Sequence, residues 1–286
     1  MLSNASEIFR SRVRRQEGSP PRPRSAPGRG GLGGGRVAPA WAADVVSSNI
    51  VGYEKISLAK GYNMVGVQFQ QVGGDDLELA TVGTMDASTA GFDEDQNFAA
   101  GLQIWNGNGY NNYGWSGTSG TDLLETPALD NQWLDANSLE PVDLTEAPSS
   151  GFWIKMANAG TITISGEVPS EATVDVSIVK GYNIVANPYP GSIAIGKWGT
   201  PAASFAGFDE DQNFALTMQV WNGNGYANYG WSGTSGTDLL ETPSLDNQWL
   251  DANSLEPVAT EIPFGTAVWI KADAAGTITF SRPAAE

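Results

Sequence analysis

Between Thr173 and Val179 apolar and polar side chains alternate, with Val174, Val176 and Ile178 on one face and Asp175 and Ser177 on the other. A period of two is the mark of a strand half-buried against a core. Ile56 and Leu58 carry the same pattern earlier in the chain. Lys60-Gly61 and Lys180-Gly181 then predict turns into second apolar strands, Tyr62 to Phe69 and Tyr182 to Ala186. Gln103-Ile104-Trp105 runs into Asn106-Gly107-Asn108-Gly109, and Asn-Gly is a strong hairpin signal because both turn residues tolerate positive φ. Phe152–Met156, the turn Asn158-Ala159-Gly160 and Thr161–Ile164 predict another hairpin, matched by Val268–Lys271 with Thr277–Phe280. Short helical turns are expected only at Leu123–Glu125 and Asn131–Asn137. The chain reads as all-β, of sandwich or barrel-like type.

The pattern occurs twice. Gly91-Phe92-Asp93-Glu94-Asp95-Gln96-Asn97-Phe98 returns as Gly207-Phe208-Asp209-Glu210-Asp211-Gln212-Asn213-Phe214, and only six of 52 positions differ between 91–142 and 207–258. Upstream, Lys60-Gly61-Tyr62-Asn63 matches Lys180-Gly181-Tyr182-Asn183. Each copy is domain-sized. Two tandem β-modules are expected, residues 43–166 and 167–286, joined by the short stretch Gly166–Ser170.

Charge divides the chain differently. The formal net charge is -17, yet eight of the nine arginines lie within the first 36 residues. From Ala43 onward seven basic groups face 30 acidic ones, a balance of -23. Residues 1–42, rich in Arg, Gly and Pro, are expected to be disordered. A basic arm that binds an acidic partner is one reading of them. The other starts from Ala38-Pro39-Ala40-Trp41-Ala42, which places small residues where a signal peptidase cuts, although no apolar stretch precedes it. This second reading predicts export, with cleavage near Ala42 and an extracellular or cell-surface location. So acidic a body argues against nucleic acid, whose phosphates require clustered Lys and Arg. No run of about 18 apolar residues offers a membrane-spanning helix. His and Cys are both absent, which removes imidazole bases, thiol nucleophiles and disulfides.

Three groups of side chains could carry chemistry. Asp93, Asp95 and Asn97, repeated as Asp209, Asp211 and Asn213, space oxygen ligands two apart, a pattern suited to Ca²⁺. Asp130 and Asp135, or Asp246 and Asp251, could complete the shell; the alternative is a solvated acidic turn. The second group is Trp105, Asn106, Tyr110, Tyr113 and Trp115, with the twins Trp221, Asn222, Tyr226, Tyr229 and Trp231. Aromatic faces stack on sugar C–H groups while amides bond the hydroxyls; the alternative is that these rings are core. The third is Asp122, Glu125, Asp130, Asp135 and Glu140, from which a glycosidase pair could be drawn. Acids are so abundant that such pairs carry little weight, and an enzyme is not expected.

Ser48–Tyr53, Gly181–Pro190, Val220–Gly223 and Gly151–Ile154 follow one another in an order that resembles the duplicated secreted β-modules of Verrucomicrobia, Lentisphaerae, Planctomycetes and relatives. The likeness spans most of 48–282. It implies the fold and export, and brings no catalytic or ligand residues with it. An acidic, Gly/Asn/Thr-rich tandem β-chain points to an exported structural or self-assembling component of the cell exterior, a filament, surface-layer or matrix subunit. Its partner would be a further copy of itself, with Val45–Val51 as a candidate donor strand. The competing expectation is a glycan-binding or adhesive protein whose partner is a polysaccharide.

Overall fold

The computed structural model describes residues 51–79, 83–91, 98–118, 127–207, 213–234 and 243–283. These residues are all-β, built from short antiparallel sheets. The first copy contributes β1 (Val51–Leu58), β2 (Gly61–Gly66), β3 (Leu77–Glu78), β4 (Thr84–Met85) and β5 (Ala100–Trp105). It continues with β6 (Tyr110–Trp115), β7 (Trp133–Asp135), β8 (Thr145–Glu146), β9 (Gly151–Met156) and β10 (Gly160–Glu167). The second copy repeats them as β11 (Thr173–Ile178), β12 (Gly181–Ala186), β13 (Ile193–Ala194), β14 (Thr200–Pro201) and β15 (Leu216–Trp221). There follow β16 (Tyr226–Trp231), β17 (Trp249–Asp251), β18 (Glu261–Ile262), β19 (Ala267–Ala272) and β20 (Gly276–Ser281).

Strand order is the same in both copies. The larger sheets run β2-β9-β5-β6-β7 and β12-β19-β15-β16-β17. The smaller ones run β1-β10-β4 and β11-β20-β14, with two-stranded β3-β8 and β13-β18 besides. Each copy fills its own core. Leu58, Phe69, Leu77, Trp115, Trp133, Phe152 and Ile162 belong to the first, and Ile178, Trp198, Trp231, Trp249, Val268 and Ile278 to the second. The described residues from Val51 onward belong to one compact unit.

The expected hairpin between Phe152–Met156 and Thr161–Ile164 does not form. β9 pairs with β2 and β5, whereas β10 pairs with β1 and β4, so the turn at Asn158–Gly160 is a corner from one sheet to the other. β1 and β2 turn the same corner beside it. Asn63 pins that corner: its Oδ1 accepts from the Ala59 N–H and its Nδ2 donates to the Ala59 carbonyl, both at 2.8 Å. The carboxamide thus stands in for a peptide group where the backbone ladder is interrupted. Asn183 does the same for Val179 at 2.9 Å. Gly61 and Gly181, with φ of 96° and 100°, supply the left-handed residue the bend requires.

Asn131–Asn137 is not a helical turn. Trp133 leads β7, paired with Trp115 of β6, and buries its ring with the indole N–H donated to the Gly83 carbonyl at 3.0 Å. Burial of the ring overrides the local turn composition. Leu123–Glu125 lies outside the described residues.

Candidate functional site

A four-residue loop joins β5 to β6 and sets the alternation of both strands. Trp105 stands directly opposite Tyr110, and Asn106 closes the loop by accepting from the N–H groups of Asn108 at 3.1 Å and Gly109 at 2.9 Å. Gly107, at φ 96°, takes the left-handed position. From this loop the period of two sorts the expected ligand residues onto opposite faces. Tyr113 and Trp115 face the core of the first copy, and Trp115 is 1% exposed. In the second copy Tyr229 and Trp231 are buried likewise. Trp115, Tyr229 and Trp231 are core, while the half-buried Tyr113 also lines a cavity of about 530 Å³. Asn106 and Asn222 spend their carboxamide oxygens on their own loops.

The other face of the sheet meets its twin in the second copy. Met64, Trp153, Ala186, Ala267 and Trp269 form a separate apolar cluster, with Trp105, Ile184 and Trp221 packed against it. The contacts are reciprocal. Trp105 donates its indole N–H to the Tyr182 carbonyl at 2.9 Å, and Trp221 donates to the Tyr62 carbonyl at 2.9 Å. The Gly66 N–H donates to the Gly265 carbonyl at 2.9 Å, and the Ala186 N–H to that of Ser149 at 2.7 Å. Such pairing of one surface with its own repeat is the isologous relation of a two-fold dimer, here within one chain.

Eight aromatic rings run across this contact in two rows. Tyr62, Trp153, Trp221 and Tyr226 follow one another at centroid spacings of 6.0, 5.6 and 5.1 Å. Tyr182, Trp269, Trp105 and Tyr110 repeat the series at 5.7, 5.5 and 5.2 Å. Most of the rings meet edge to face, the arrangement their quadrupoles favour. Trp153 and Trp269 are buried, while the four tyrosines at the ends of the rows stay open to solvent.

Along the first row, and bounded by Tyr110 of the second, lies a cleft of about 280 Å³, lined by Tyr62, Gln103, Tyr110, Trp153, Trp221 and Tyr226. Both copies contribute to it. Burial holds the Tyr110 hydroxyl above its ordinary pKa, opposed by the hydrogen bond from Trp153, with the hydroxyls of Tyr226 and Tyr62 near enough to add to the rise. The Gln103 amide donates to Asn112 Oδ1 at 2.8 Å, and Gln219 repeats this with Asn228 at 3.0 Å. A second cavity of about 530 Å³ adjoins at Gln103 and takes in Asn112, Lys155, Phe98 and Ala157. The cleft can hold a flat, partly apolar ring with hydroxyls at its edge.

Of the expected ligand residues, Trp105, Tyr110, Trp221 and Tyr226 are thus brought together. Tyr62, Gln103 and Trp153 were not singled out from the sequence. Alternation along Phe152–Met156 already sets Trp153 and Lys155 on the face opposite Phe152 and Ile154, which was the available signal.

The expected calcium ligands Asp93, Asp95, Asn97, Asp209 and Asp211 lie outside the described residues, and Asn213 is exposed at the edge of that segment. Asp135, proposed to complete the shell, accepts from the N–H groups of Asn137 at 2.8 Å and Ser138 at 2.9 Å, which holds its pKa down. Asp251 does the same in the second copy. Among the described residues no three Asp, Glu, His or Cys side chains cluster closely enough to hold a metal ion. Nor is any described helix long and apolar enough to cross a membrane. No protein-family model, curated protein or solved structure matches the chain.

Proposed function

We propose that this chain is an exported, non-enzymatic β-protein that binds a glycan in the aromatic cleft where its two copies meet. In this reading each copy is a sandwich-like module, and the larger sheets supply the binding face. The carrying observation is the cleft's lining: five aromatic rings and Gln103 around about 280 Å³. Sugar rings present C–H faces to aromatic faces and hydroxyls to amides, and this lining offers both. Titrating polysaccharides and their oligomers against tryptophan fluorescence tests the reading, since Trp153 and Trp221 both line the cleft. A saturable change that Tyr226→Ala abolishes supports it. No response to any glycan, or one unchanged by Tyr226→Ala, refutes it.

Self-assembly is favoured by a different observation. β1 is an edge strand among the described residues, with Val51 64% and Tyr53 78% exposed, and it begins at the end of the expected donor segment. Val51 itself pairs with Glu167 of its own chain, while residues 45–50 lie outside the described residues. Exposed edges invite pairing with a further strand. Sedimentation at increasing concentration separates this reading from the first: growing particles without ligand support it, and a constant monomer refutes it.

A further inference from the structure

We infer that the glycan held in this cleft is an anionic one, carrying carboxylate or sulfate groups, with Lys155 as the residue that reads its charge. The inference rests on the glycan-binding reading above and adds the ligand's chemical class to it.

The chain carries 32 acidic side chains, and from Ala43 onward they outnumber basic ones by 30 to seven. Among the described residues, neither the aromatic cleft nor the adjoining cavity has an Asp or Glu in its lining, and the one charged side chain there is Lys155. This groove is clear, among the described residues, of the carboxylates that crowd the rest of the sequence.

Lys155 is placed to use that clearance. It follows Trp153 by two positions on β9, so both side chains project from the same face of the sheet. Its ammonium lies 5.6 Å from the centre of the Tyr62 ring, at the rim of the cleft. The residue is exposed, and among the described residues no carboxylate lies within ion-pair distance of it. A cation held over an aromatic face keeps its outward N–H donors available. Lys271, its twin, sits 6.0 Å from the Tyr182 ring in the same relation. With Gln103 and Asn112 on the same wall, Lys155 completes a set that meets ring, hydroxyl and anion along one path.

The net negative body would repel a polyanion at long range. At physiological salt that repulsion is screened beyond about 8 Å, while the short-range contact at the exposed Lys155 is weakened less. Binding of an acidic glycan should therefore fall less steeply with salt than it does for a basic receptor.

The test is calorimetric titration of the full chain, in the presence of EDTA, with length-matched oligogalacturonate and neutral galacto-oligosaccharide. The acidic oligomer should bind about tenfold more tightly, the worth of one charge-assisted contact. Lys155→Gln should remove most of that difference, lowering the acidic oligomer's affinity more than the neutral one's; Lys155→Arg should restore it. A sulfated galactan in parallel separates recognition of charge from recognition of a carboxylate. Equal affinity for the acidic and neutral oligomers, or a preference that survives Lys155→Gln, overturns the inference and leaves glycan binding standing. Absence of binding by every oligomer overturns both.

Discussion

The indole nitrogen of Trp221 lies 2.9 Å from the carbonyl oxygen of Tyr62, a residue 159 positions earlier in the chain. That bond and its twin from Trp105 to Tyr182 tie the two copies together, one within each aromatic row. Trp221→Phe keeps a ring in place and deletes the donor. It should lower stability by about 1 kcal/mol, the net value of one hydrogen bond, with more lost if the carbonyl is left unsatisfied. Chemical denaturation of the variant and of Trp105→Phe checks this, and the two losses should be similar.

The corner staple gives a sharper test. Asn63 makes two 2.8 Å bonds to the backbone of Ala59, which Ala cannot replace. Asn63→Ala should cost roughly 1–3 kcal/mol, measured as a shift in denaturation midpoint. Asn63→Asp should recover only part of this, because the carboxylate accepts from the Ala59 N–H but cannot donate to its carbonyl.

Close approach between the copies predicts a steric result. A Cβ at Gly66 would fall 2.5 Å from the Ala186 Cβ and 3.2 Å from the backbone of Thr266. Gly66→Val should therefore destabilise the protein by about 1–3 kcal/mol or force the copies apart. Increased tryptophan exposure in acrylamide quenching would report the separation, since Trp153 and Trp269 are buried at that contact.

Glu54 makes stability depend on pH in an unusual direction. Its carboxyl lies against Gly265 of the other copy, and burial alone raises its pKa to about 7. A group whose folded pKa is raised stabilises the fold fully below its unfolded pKa and loses that contribution as pH rises through the folded value. Wild type should lose stability relative to Glu54→Gln between about pH 5 and pH 8. Melting temperatures of the two proteins across that window should diverge; parallel curves would show that the carboxyl is not held in this way. Because the group is half-exposed, the divergence should be modest.

Much of the strand content was legible because half-burial imposes a period of two. The alternation of Thr173–Val179 is reproduced in β11, where Val174, Val176 and Ile178 turn inward. Pairing was less legible. A turn such as Asn158–Gly160 has the same local chemistry whether the next strand folds back on the last or leaves for another sheet. β10 leaves because β1 and β4 offer partners more than 70 residues away, and no local pattern encodes that choice. The aromatic set shows a different limit. Counting from the loop, Trp105 and Tyr110 fall on one face and Tyr113 and Trp115 on the other, but which face is core depends on where the second copy packs. The residues that close the cleft across the copies, Tyr62 with Trp221 and Trp153 with Tyr226, became visible only when both repeats were in place.

The reciprocal contact between the copies has an evolutionary corollary. A homodimer of identical subunits must carry every substitution twice, once on each side of its axis. Joining the halves in one polypeptide frees them to diverge while the contact persists at fixed stoichiometry, independent of protein concentration. Divergence is already visible at the junction: Glu54 faces Gly265, whereas the matching place in the second copy holds Val174. Gln68, which accepts from the Gly265 N–H and donates to the Tyr189 carbonyl, has Pro188 as its counterpart. One half can therefore carry a titrating or recognising group that its sibling lacks, without loss of the contact between them.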